Sequence, residues 1–200
     1  MVEQSNWIKI TKENPDHSSW YIERFRSMRA AGDDLAGEAR FVDALAPRGA
    51  RILDAGCGPG RVGSALAALG HDVVGVDVDP ELITAAQHDH PGPAWLVGDL
   101  AELDLAAHGI TAGFDVILSV GNVMPFLAPS TRQTVLSRLG AHLGDGGRIV
   151  IGFGSGRGYE FSEFFDDAAQ AGLVLELSLA TWDLRPFRDE SDFLITVLGR

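Results

Sequence analysis

Between Ala50 and Leu66 the chain reads ARILDAGCGPGRVGSAL. An apolar run closes on an acid, glycines then alternate at Gly56, Gly58 and Gly60, and Val62, Ala65, Leu66 and Leu69 fall on one helical face. The pattern predicts a buried strand over Arg51–Gly56, a turn in which glycine lets the backbone approach a ligand closely, and a helix. A strand followed at once by a helix commits the chain to an α/β design.

The remaining elements repeat the alternation. His71–Asp79 reads as a second strand, followed by a helix with Asp79 at the N-cap and Pro80 at the first helical position, where a missing N–H costs nothing. Ala94–Asp99, Phe114–Val120 and Gly146–Phe153 read as strands three to five. Before strand five, Ser130 and Gln133 have capping-box spacing, and Val135, Leu136, Leu139 and Leu143 share one helical face. Tyr159–Gly172 is helical, stopped by Gly172. Leu173–Leu184 and Ser191–Arg200 then read as two strands joined by a short polar turn, too short for a crossover helix, so they pair antiparallel. The expected fold is a seven-stranded α/β sheet, mostly parallel, with a C-terminal antiparallel hairpin and helices on both faces. Residues 1–49 form a helical preface to a main unit over 50–200, the two making one compact domain.

Charge narrows the function. Sixteen Lys and Arg against twenty-eight Asp and Glu give a net charge of -12, and the only lysines are Lys9 and Lys12. Such a surface repels a phosphate backbone, which argues against a nucleic-acid partner. No apolar stretch approaches a membrane span, the N-terminus lacks a secretory core, and Cys57 has no partner for an intrachain disulfide. A cytoplasmic protein with no membrane partner is expected. His88 and His90 flank Asp89 in a polar segment and are expected to be solvated, with no metal site.

In an open α/β sheet, ligands bind beyond the carboxyl ends of the strands. Three acids stand there: Asp54 ahead of the glycines, Asp77 ending strand two and Asp99 after strand three. A carboxylate at Asp77 suits two ribose hydroxyls, and one at Asp99 suits an adenine amino group. Gly58-Pro-Gly60-Arg-Val-Gly63 also fits G-x-G-x-x-G, so an NAD(P)-dependent oxidoreductase is a rival reading. A dinucleotide, however, places its pyrophosphate on the helix N-terminus, where a buried negative Asp54 opposes it. A sulfonium with an ammonium group removes that conflict.

LDAGCGPGR together with VVGVDVDPELI, LVGDL, FDVILSVGNVMPFL and GGRIVIGF resembles the class I, Rossmann-like S-adenosylmethionine-dependent methyltransferases, from Ala50 to the C-terminus. The resemblance implies S-adenosylmethionine as cofactor and in-line methyl transfer to a small-molecule acceptor; a non-catalytic S-adenosylmethionine-binding protein is the other alternative. It implies that Asp54 orders the loop and the ligand's amino end. The backbone at Gly56 and Gly58 then contacts the methionine moiety, with Cys57 and Arg61 also at the cofactor; Asp77 holds the ribose with Val78 against the adenine, Asp99 and the Leu100 N–H address the adenine edge, and Val120 contacts the methionine part again. An aromatic or Arg from the preface, such as Tyr21, Arg24 or Arg26, closes over the cofactor. GNVMPF lacks the Asp/Asn/Ser-Pro-Pro-aromatic signature of enzymes acting on base amino groups. Cys57 on its own chemistry is a small space-filler, since no charged partner is evident. His17 and Tyr21 are the catalytic candidates to test first, and Tyr21, Asn122, Met124, Phe126, Tyr159 and Trp182 the expected acceptor wall. Arg157 and Arg185 follow strands and are expected to be solvated.

Overall fold

The computed structural model describes residues 2–200. Its first three helices are α1 (Asn6–Glu13), α2 (His17–Ala30) and α3 (Gly37–Leu45). The chain then alternates through β1 (Arg51–Ala55), α4 (Arg61–Ala68), β2 (Asp72–Asp77), α5 (Pro80–Asp89), β3 (Ala94–Val97) and β4 (Phe114–Ser119). A short α6 (Val123–Phe126) precedes α7 (Arg132–His142), β5 (Leu143–Gly154), α8 (Phe161–Gln170), β6 (Val174–Leu179) and β7 (Phe193–Gly199). The seven strands form one sheet in the order β3-β2-β1-β4-β5-β7-β6. The first five run parallel, and β7 enters antiparallel between β5 and β6. This is the Rossmann-like sheet with its terminal hairpin. The chain leaves β1 toward β2 and β3, then returns to β4 on the other side, which places the topological switch between β1 and β4.

Period-two alternation sorts β1 between the two layers. Leu53 and Ala55 join the core under α7 and α8, with Ile117, Leu136, Phe153 and Phe164. Ile52 joins the core under α3 and α4, with Val42, Leu66 and Leu118. Asp54 follows Ile52 by two residues and shares its face, toward α4.

Local signals explain most boundaries. The Asp79 carboxylate accepts the Glu81 N–H at 2.8 Å, capping α5 as expected. At the end of α8, Gly172 takes φ +77° and the Leu173 N–H returns to the Ala168 carbonyl at 3.0 Å. The capping box at α7 does not form. Pro129 opens a 3-10 turn over Pro129–Thr131, so α7 begins at Arg132 and Ser130 Oγ donates instead to Glu3 at 2.7 Å. The last two strands are shorter than their apolar patterns, β6 ending at Leu179, because Leu184 adopts φ +73° and Ala180–Asp192 folds as a loop. One helix carried no strong sequence signal: α1, whose N-cap Ser5 accepts from the Ile8 N–H.

Candidate active site

Beyond the carboxyl ends of β1, β2 and β4 lies a cavity of about 100 Å³. Its floor is the glycine turn with Asp54, Asp77 and Asp99, and its roof is aromatic, from Trp7, Tyr21, Phe25 and Phe126. The turn is built by exclusion of side chains. Gly56 has φ +84°, and a Cβ there would lie 2.4 Å from Val123 Cγ2. Gly60 caps α4 with φ +82°. Gly63 and Gly75 make room for the Trp95 indole, which a Cβ would approach to 2.9 Å and 2.3 Å respectively. Two of the motif's glycines, Gly60 and Gly63, thus serve helix–strand packing around Trp95. Gly58 opens toward the roof, a Cβ there lying 3.8 Å from Tyr21 Cε1.

Each acid has a distinct set of partners. Asp54 is buried and its Oδ2 accepts the Gly63 N–H at 2.9 Å, while Oδ1 has no protein partner and borders the cavity. Burial pushes the Asp54 carboxyl up to about 7. Asp77 Oδ2 accepts the Gly58 N–H at 2.8 Å and Oδ1 accepts the Asp79 N–H at 3.0 Å. Asp77 therefore fastens the glycine turn to β2, and each oxygen keeps a lone pair for a ligand. Burial raises it too, to about 6. Asp99 caps the 3-10 turn Leu100–Glu102 by accepting the Ala101 N–H at 2.9 Å.

Around them, Arg61 is held by a bidentate pair with Glu38, at 2.6 and 2.9 Å, and by the Leu35 carbonyl at 2.6 Å. Its guanidinium also stacks over Phe25. Cys57 packs with Ile83, Ala86 and Trp95, and burial pushes its thiol well up, so it is an inert filler. Burial likewise raises the Tyr21 phenol, which keeps its proton at neutral pH; Tyr21 can offer a hydrogen bond but is not a general base.

The cavity gathers Tyr21 and all ten of the residues expected to bind cofactor: Asp54, Gly56, Cys57, Gly58, Arg61, Asp77, Val78, Asp99, Leu100 and Val120. A family model described as a methyltransferase domain matches residues 52–147. Among curated proteins, magnesium-protoporphyrin O-methyltransferase of Rhodobacter capsulatus is 35% identical over 97 residues, covering 46% of this chain and 40% of that protein. Ribosomal protein L11 methyltransferase of Janthinobacterium sp. (strain Marseille) is 29% identical over 179 residues, covering 75% and 54%. The chain thus spans about half the length, or less, of these relatives. A solved structure, the TehB-like S-adenosylmethionine-dependent methyltransferase of Corynebacterium glutamicum ATCC 13032, is 49% identical with a TM-score of 0.88, over 94% of this chain and all of that one. The chain belongs to the S-adenosylmethionine-dependent methyltransferases.

The cavity of this methyltransferase suits the family's cofactor. The unpartnered Asp54 Oδ1 is free to pair with a donor from a ligand, and the backbone at Gly58 is open to close approach. Several expected acceptor residues lie elsewhere. Tyr159 is fully buried, stacked on Phe153 at 5.7 Å, and donates to Asp167 at 2.6 Å. Met124 points into the same core. Trp182 packs on the opposite layer against Phe41 and Phe193. Asn122, at φ +69°, turns its Oδ1 to the Gly154 N–H at 2.9 Å and braces β5. His17 lies between Trp7 and Trp20, outside the lining. Arg26 is spent on Asp89, at 2.9 and 3.0 Å, and Arg24 stacks over Trp20 and Phe25. His88 contacts Asp89, and His90 contacts Arg29. Phe126 remains on the wall, and Trp7, absent from the expected set, joins it. No helix among the described residues is long and apolar enough to cross a membrane.

Proposed function

We propose that this methyltransferase acts on a small-molecule acceptor that enters beneath the aromatic roof. The observation that carries this reading is the roof itself. Trp7, Tyr21, Phe25, Phe126 and Leu127 close over the carboxylate floor, and Trp7 is only 8% exposed. A cavity roofed by aromatic rings, apolar along most of its wall and with a few convergent polar groups, favours a compact acceptor over a folded macromolecule. The net charge of -12 weighs in the same direction against nucleic acid. The matched relatives include a protein methyltransferase as well as a porphyrin one, so acceptor class is what an experiment must decide.

Bound S-adenosylmethionine supplies an electrophilic methyl group on a sulfonium. The chain's residues bind, orient and exclude water. Asp54 Oδ1 takes the amino end, Asp77 the ribose hydroxyls through its free lone pairs, Val78 the adenine face, and Asp99 with the Leu100 N–H the adenine edge. The rings above hold the acceptor in line and dry; an acceptor that attacks through a free lone pair needs no dedicated base, its proton leaving to water afterwards. Neither His17, outside the cavity, nor Tyr21, protonated, has to remove a proton.

The test is transfer of isotope-labelled methyl to two fractions of a cell extract, one of metabolites and one of macromolecules. Label appearing in the metabolite fraction alone supports the proposal. Label on protein alone would overturn it, and no transfer to either fraction despite tight S-adenosylhomocysteine binding would favour a non-catalytic binding protein.

A further inference from the structure

The Asp79 carboxylate does more than cap α5. Oδ1 accepts the Glu81 N–H at 2.8 Å, which is the whole requirement of an N-cap. Oδ2 accepts two donors from the N-terminal helices: Trp7 Nε1 of α1 at 2.7 Å and Ser18 Oγ of α2 at 2.5 Å. All three side chains are buried. On its other side, the Asp79 N–H donates to Asp77 Oδ1, and Asp77 Oδ2 holds the Gly58 N–H. One hydrogen-bonded line therefore joins the glycine turn, Asp77, Asp79 and the two helices that roof the cavity.

Trp7 is the hub of that roof. Its ring meets Tyr21 at 5.3 Å and Phe126 at 5.4 Å, both edge-on, and all three line the cavity. A hydroxyl caps a helix about as well as a carboxylate, so capping alone does not call for an acid here. An oxygen that receives donors from two separate helices does call for one, because hydrogen bonds to a charged acceptor are the strong ones.

We propose that Asp79 is a positioning residue, a latch that holds α1 and α2 over the cavity and so keeps bound cofactor from leaving. Asp79 acts through Trp7 and Tyr21 and touches neither cofactor nor acceptor. The proposal rests on the reading of the cavity as the cofactor site.

Asp79→Ser is the informative variant: its hydroxyl preserves the α5 cap and removes the acceptor for Trp7 and Ser18. The expected result is release of S-adenosylhomocysteine at least about tenfold faster in stopped flow, with faster amide exchange across residues 6–30 in the bound protein. A Trp7→Phe/Ser18→Ala double variant leaves Asp79 and its cap intact and should give the same acceleration, including where Asp79→Ser fails to fold. Combining all three changes should add nothing further, because both variants break the same link. A lower melting temperature with an unchanged release rate in either variant would mean a merely structural role and overturn the latch. Wild-type protein that fails to bind S-adenosylhomocysteine would overturn the site reading instead, which separates the two failures.

Discussion

Asp54 gives the sharpest test of how this site holds its ligand, because its protonation and its proposed partner are linked. In the free protein the carboxyl is pushed up to about 7 by burial, with Oδ2 on the Gly63 N–H and Oδ1 facing the cavity. An ammonium placed against Oδ1 requires the ionised form and pulls its pKa down. Ligand affinity should therefore rise with pH through the window in which free Asp54 gives up its proton. A carboxyl titrating near 7 is about nine-tenths protonated at pH 6 and about one-tenth at pH 8, so S-adenosylhomocysteine should bind about tenfold more tightly at pH 8, ~1.4 kcal/mol. Asp77, raised to about 6, adds roughly twofold at the lower end of the same window.

Calorimetry measures both consequences. The dissociation constant should fall from pH 6 to pH 8, and titrations in two buffers of different ionisation enthalpy should reveal about half a proton released per ligand at pH 7. Asp54→Asn, which keeps an acceptor for Gly63 and cannot ionise, should lose most of the slope and bind weakly at pH 8. A flat wild-type profile, or an undiminished slope in Asp54→Asn, would refute the reasoning. The sign for stability is opposite. A carboxyl whose folded pKa is raised above its ordinary 3.8 contributes stability that is complete below that value and lost as pH rises through about 7. The free protein should therefore lose this contribution over the range in which the ligand gains affinity.

Two further outcomes follow from packing. Gly75→Ala would set a Cβ 2.3 Å from the Trp95 ring inside β2, and should cost about 2–3 kcal/mol or more in urea unfolding, an overpacking penalty; a neutral result would mean that the indole slot is loose. Tyr159→Phe removes the donor to Asp167 and should lower stability by about 1 kcal/mol while leaving S-adenosylhomocysteine affinity unchanged, and a loss of affinity without destabilisation would return Tyr159 to the site.

The floor of this site was readable because its chemistry is local. Asp54, Asp77 and Asp99 each stand at or just past the end of a strand, and a strand's end is the sheet's ligand edge, so residue type and position together place them at the cavity. The roof was not readable in the same way. Trp7 and Ser18 meet Asp79 across 72 and 61 residues of chain, and no pattern in the preface encodes where that preface lands. The same gap explains the misplaced wall. Met124, Tyr159 and Trp182 are large side chains near strand ends, and such residues serve equally well as core filler; their layer was decided by turns, including the φ +73° at Leu184 and the brace from Asn122 to Gly154. The long-range contact that escaped the sequence nevertheless leaves a trace in it. An acid stands at Asp79, where a serine would cap about as well. Its surplus capacity as an acceptor is consistent with partners beyond the helix, and the structure supplies two of them. A capping residue stronger than its cap needs is thus a local sign of a distant contact, and here that contact lies over the cavity.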